Sequence, residues 1–112
     1  MAHKTVTRVS KPGTSFATWQ DALAAFKTAI AAKETVSGAS VKMTVADNAD
    51  VQRTLSLLED GTGFEIVDVW TSSEAMDEYY ASVRPTYQAA GWQSIGEGVD
   101  GWSRTVVSSE AM

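Results

Sequence analysis

Asp68 and the tyrosines that follow it are the residues of this chain best suited to chemistry. Asp68 alternates with Ile66 and Trp70 along one side of an apolar run, FEIVDVW. A carboxyl on such a face loses hydration, so burial raises its pKa and makes it a proton acceptor for an acidic phenol or enol. Beside Arg53, Arg84 or Arg104 the same group would instead stay ionised in a structural ion pair. Tyr79 is the second candidate acceptor. Tyr79, Tyr80 and Tyr87 fall on one stripe of the segment after Trp70, and Trp19, Phe26, Trp70 and Trp102 come from elements that should adjoin it. Aromatic bodies with polar rims suit a pocket for a flat or long apolar molecule, oriented by one or two hydroxyls; the same residues also make an ordinary core. Tyr79 and Tyr80 stand about 100° apart on a helix, so only one points deep inside. Arg84, just before Pro85, would either anchor a substrate carboxylate through a bidentate contact or end its helix as a solvated cation. The catalytic candidates are thus Asp68 and Tyr79. The ligand-binding candidates are Trp19, Phe26, Trp70, Tyr80, Arg84, Tyr87 and Trp102.

No nucleophile–base–orienter set, metal-ligand cluster or phosphate loop accompanies them. The chain has no Cys and one His, which removes disulfides and thiolate chemistry and leaves little for zinc or haem iron. No metal and no cofactor are expected. A formal charge of −5 repels a phosphate backbone, and the nine basic residues are scattered from Lys4 to Arg104, so nucleic acid is not an expected partner. The start MAHKTVTRVSKPG lacks an apolar leader, and no segment approaches the ~18 consecutive apolar residues of a membrane span. The protein reads as cytoplasmic. At 112 residues and 44% hydrophobic composition, one globular domain over residues 1–112 is expected.

The elements that would position the candidates follow from periodicity. Lys4 to Val9 alternates as a short strand ended by Lys11-Pro12-Gly13, and Thr14 or Ser15 then caps a helix over about Phe16 to Glu34. Phe16, Trp19, Ala22, Leu23, Phe26, Ala29 and Ile30 make its apolar stripe, and Gly38 is placed to end it. Ala39 to Ala46 alternates as a strand, and DNAD turns it into Val51 to Glu59 as a hairpin. Asp60-Gly61-Thr62-Gly63 supplies a second turn before the strand Phe64 to Trp70. Ser72 caps the second helix, with Glu74 in its first turn, and Pro85 should kink or break it near Arg84. Gly91 to Gly101 reads as a mobile connection, Trp102 to Ser108 as a last strand and Ser109 to Met112 as a fraying end.

Two helices, each apolar along one stripe, fit an α+β fold: a ferredoxin-like antiparallel sheet carrying both helices on one face. The other face should be polar if it met water. Yet Phe64, Ile66 and Trp70 point one way along their strand while Val67 and Val69 point the other, and Leu58 faces away from Leu55 and Leu57. Bare apolar sheet of several hundred Å² is uncommon on a monomer, so a second copy, forming a homodimer, is the expected cover.

The W-x-S-x-E-A pattern at Trp70, Ser72, Glu74 and Ala75, with Ser82 at the end of the helix, resembles the dimeric α+β barrel superfamily, especially its antibiotic biosynthesis monooxygenase-like group. Lys11-Pro12-Gly13, Gly38 and Asp68 also match, so the similarity covers most of residues 4–90. It implies two sheets facing each other across a dimer and a pocket between each sheet and its helices. Members include cofactor-free oxygenases of aromatic substrates, haem-degrading enzymes, isomerases and proteins without known activity, so the pattern specifies fold better than chemistry. Many members carry His where this chain has Tyr79, and His3, on a loose end, is badly placed as an axial ligand, which disfavours haem degradation. The chain has one Asn, Asn48, in a turn, so no Asn–Trp pair lines a pocket. The function expected is binding of an apolar or amphipathic small molecule, with cofactor-free oxygenation through Asp68 or a pocket tyrosine as its catalytic form. A non-catalytic binding or assembly module, holding an acyl-like ligand, is the competing class, and a structural dimer with a filled core is the third.

Overall fold

The computed structural model describes residues 1–37, 48–89 and 99–112, and the side chains of residues 33–37, 86, 87 and 89 lie outside that description. The order is β1 (His3–Ser10), α1 (Trp19–Ser37), β2 (Val51–Leu57), β3 (Gly63–Trp70), α2 (Ser73–Ala89), a 3-10 turn (Val99–Gly101) and β4 (Ser103–Ala111). The strands pair antiparallel in the order β2-β3-β1-β4. With α1 packed on β2 and β3, and α2 on β3, the fold is α+β and ferredoxin-like. The strand expected at Ala39 to Ala46, the helix stop at Gly38 and the connection from Gly91 to Gly98 lie outside the described residues. No described helix is long and apolar enough to cross a membrane.

Strand β3 is the axis of the core. Its alternation is strict: Phe64, Ile66, Asp68 and Trp70 are buried against the helices, while Glu65, Val67 and Val69 are half-buried on the other face. It enters through a turn built on Gly61, whose positive φ of 75° a side chain would strain. Gly63 then lies against β1 so closely that a Cβ would run into the Val9 carbonyl oxygen. Leu58 leaves the end of β2 and is half-buried in this turn. Val9, Ala22, Phe26, Ile30, Phe64 and Trp102 form the centre of the hydrophobic cluster.

Several boundaries differ from the sequence reading, each for a physical reason. Helix α1 starts at Trp19, where Thr18 Oγ1 accepts the Asp21 N–H at 3.1 Å. Phe16 lies before the helix, its N–H held by the Gly61 carbonyl at 2.8 Å, and the Thr14 hydroxyl donates to the Lys11 carbonyl at 2.6 Å instead of capping. Ser72 does cap α2, accepting the Ala75 N–H at 3.1 Å. Helix α2 runs through Pro85 to Ala89 without ending near Arg84. The hydrogen bond forfeited is that of the Ala81 carbonyl, and Ala81 and Pro85 are both exposed, where the carbonyl is open to solvent. Strand β4 extends to Ala111 because β1 begins at His3 and gives it partners, and Met112 N–H still reaches the Ala2 carbonyl at 3.0 Å. A register shift beside Val6 leaves Val107 as an extra, bulged residue.

Candidate functional site

Strand pairing sets side chains in rows across the helix-facing side of the sheet. One row runs Arg53, Asp68, Thr5 and Ser109; the next runs Val51, Trp70, His3 and Ala111. In the first row Arg53 Nε and Nη2 donate to Asp68 Oδ1 and Oδ2 at 2.8 and 2.9 Å, a bidentate contact. The carboxylate is sealed, with 3% of its side chain exposed, and the guanidinium reaches outward with 25% exposed. Burial alone would lower the Arg53 pKa, but the hydrogen bonds and charge of Asp68 outweigh it and hold the group above its usual value.

Above the second row, Trp70 meets two rings from α2. Its centroid lies 5.5 Å from that of Tyr79 and 6.1 Å from that of Tyr80, and the tyrosines meet edge to face at 5.4 Å. Neither tyrosine wins the interior: both are half-buried while Trp70 is fully buried. Burial pushes the Tyr79 phenol up, partly offset by Arg53, so it stays a protonated hydroxyl at neutral pH. Two buried polar atoms in these rows, Thr5 Oγ1 and Trp70 Nε1, have no hydrogen-bond partner among the described residues. Such an atom costs about 1–3 kcal/mol, and native proteins carry few.

The sequence candidates thus divide into two groups. Asp68, Trp70, Tyr79 and Tyr80 come together with Arg53 under α2. Phe26 and Trp102 belong to the other end of the core, where Trp102 stacks on Phe16 at 5.9 Å and meets Phe26 edge-on at 5.2 Å. Trp19 is half-buried at the rim of that second cluster, and Arg84 is exposed on α2. Tyr87 lies in α2, with its side chain outside the described residues. Sequence reasoning missed Thr5, whose alternating polar strand gave no sign that it faces the helices. It also placed His3 on a loose end, whereas His3 Nε2 shares a 2.7 Å hydrogen bond with Ser109 Oγ across the β1–β4 pair. No group of three or more His, Cys, Asp or Glu residues suited to a metal occurs among the described residues.

The opposite face of the sheet carries a shallow trough of about 750 Å³ whose walls include Arg8, Glu65, Ser56, Leu57, Thr105 and Val107. Arg8 and Glu65 bridge its floor at 3.0 Å.

No family model matches the sequence, and no curated protein matches it. Among solved structures, "Structure of Rv0793 from Mycobacterium tuberculosis" aligns with 96% of this chain and 94% of its own, at 20% identity and a TM-score of 0.48. A likeness at that level says nothing about chemistry.

Proposed function

We propose that the protein binds a small aromatic or amphipathic molecule between β3 and α2, on a platform made by Trp70, Tyr79 and Tyr80. The observation that carries this reading is the pair of orphaned polar atoms, Thr5 Oγ1 and Trp70 Nε1, buried beside three aromatic rings and an ion pair. A site built only for packing would gain by replacing them with apolar atoms of the same shape. Entry goes past α2. Among its described side chains only Val83 is fully buried, and the half-buried tyrosines over Trp70 can swing outward at less expense than the buried side chains of α1, such as Phe26 and Ile30.

The geometry favours binding over turnover. Both oxygens of Asp68 accept from Arg53, so a proton arriving there must displace a bidentate contact. Tyr79, held protonated by burial, suits a hydrogen-bond role better than that of a base. Cofactor-free oxygenation of the kind found in the antibiotic biosynthesis monooxygenase-like group is the catalytic extension of the same site, and it requires the Arg53–Asp68 contact to open. A homodimer completes the proposal: Val6, Val67 and Val69 are half-buried and Val107 is exposed, and they give the trough side of the sheet an apolar strip that a second copy would cover.

Native mass spectrometry of freshly purified protein tests both parts. The expected result is a species at twice the 12.0 kDa chain mass carrying a small molecule released on activation. A monomer removes the dimer. A bare protein whose tryptophan emission is also unmoved by millimolar naphthalene-sized aromatics removes the binding site.

A further inference from the structure

Resting on the binding reading above, the geometry points to the chemical feature this site selects: we propose that Thr5 and Trp70 together form a two-donor clamp for a single carbonyl oxygen of the bound aromatic molecule. Trp70 and Thr5 are diagonal neighbours on adjacent strands, since Trp70 pairs with His3 and Thr5 with Asp68. Diagonal neighbours of an antiparallel pair lie about 7–8 Å apart, a span within reach of a side chain as long as that of Trp70, so one ligand atom set between them would meet both. The indole N–H can only donate. The Thr5 hydroxyl can donate or accept, but its row neighbour Asp68 takes two hydrogen bonds from Arg53 and none from Thr5. A carbonyl oxygen has two lone pairs and no hydrogen, so it satisfies both groups at once and needs nothing in return.

Charge narrows the class further. Asp68 and Arg53 cancel each other beside the clamp, with the anion on the buried side and the cation toward solvent. A ligand carboxylate placed against Trp70 and Thr5 would sit next to the buried Asp68 carboxylate, a like-charge juxtaposition that a neutral ketone avoids. Thr5 and Trp70 are therefore specificity-determining residues for neutral aryl ketones over hydrocarbons and aryl carboxylates of the same shape.

Matched bicyclic probes separate this inference from the binding reading beneath it. Indane, 1-indanone and indane-1-carboxylate are titrated against the full chain, with tryptophan emission and a calorimetric check as readouts. The expected order is 1-indanone tightest, by on the order of tenfold over indane, because two buried donors gain a partner. Thr5→Val, which keeps the side-chain shape, should cut that preference about threefold or more, read as the ratio of ketone to indane affinity within the variant. Equal affinity for ketone and hydrocarbon, a carboxylate that binds tightest, or a ketone preference that survives Thr5→Val each overturns the clamp while the aromatic site stands. If no probe binds, clamp and site fall together.

Discussion

Under α1, Phe26, Phe64 and Trp102 pack ring to ring with Val9, Ala22 and Ile30, and all six are buried. Under α2, Trp70 meets two half-exposed tyrosines and shares its face with an ion pair and a hydroxyl. Both clusters stand on strand β3, Phe64 near its start and Trp70 at its end. The first is closed by dispersion and the hydrophobic effect, which ask only that shapes fit. The second holds polar atoms that shape cannot satisfy, and it sits under the helix with less of its surface buried. The proposed site rests on that difference, because a buried polar demand left open by the chain is one that something other than the chain can complete.

The sharpest way to break this contrast is to strip the ion pair. Arg53→Met leaves Asp68 buried and unpaired, and should destabilise the fold by about 3–5 kcal/mol in chemical denaturation. Combining it with Asp68→Leu removes both charges, and the double variant should be at least as stable as the parent, since apolar replacements of buried pairs are often neutral or better. A single variant that loses under ~1 kcal/mol would mean that Asp68 finds water or another donor, and that the α2 side is open already.

Paired truncations measure the two helices against each other. Phe26→Ala empties a sealed site and should cost about 3–5 kcal/mol. Tyr80→Ala removes a ring of similar size from a half-exposed position, so its loss should be less than half as great. Equal losses would show that α2 is seated as firmly as α1, and the contrast would fail. Thr5→Val sharpens it from the other direction. Removing an unsatisfied buried hydroxyl without changing shape should raise stability in the absence of ligand by about 1 kcal/mol, read as a shifted urea midpoint. A destabilised Thr5→Val protein would mean that the hydroxyl has a partner in solution.

Much of this arrangement is legible without coordinates, and the limits of that reading are physical. The alternation of Phe64 to Trp70 and the stripe from Trp19 to Ile30 are local periodicities, and Ser72 is a local cap, so β3, α1 and the start of α2 follow from short stretches of chain. The start of α1 does not, because Phe16 is held before the helix by Gly61, a contact across the fold. Asp68 could be read as wanting an arginine, but choosing Arg53 over Arg84 or Arg104 requires the β2–β3 register that sets Arg53 opposite it. Thr5 is the hardest case. A threonine in an alternating strand reads as solvent-facing, and only the helices laid over that face of the sheet make its hydroxyl an unmet demand.

The smallest effect expected comes from the turn that fastens the α1 side. Asp60 accepts from the Thr62 hydroxyl at 2.7 Å and from the Thr62 N–H at 3.0 Å, and these bonds hold its carboxyl below the usual aspartate value. Because the folded pKa is depressed, the stabilisation is present above the unfolded value of about 3.9 and is lost as pH falls through the lower folded one. Thr62→Val removes the hydroxyl and keeps the backbone contact, so the variant should be slightly less stable than the parent at neutral pH, and the gap should close on acidification below pH ~4. The same turn supplies the Gly61 carbonyl that holds Phe16 over Trp102, so any loosening should appear in α1-side probes such as near-ultraviolet signals from Trp102, and leave Trp70 unmoved. A gap that persists at low pH would assign the loss to Thr62 packing. A change at Trp70 would show that the two halves of the core are coupled along β3 and do not respond separately.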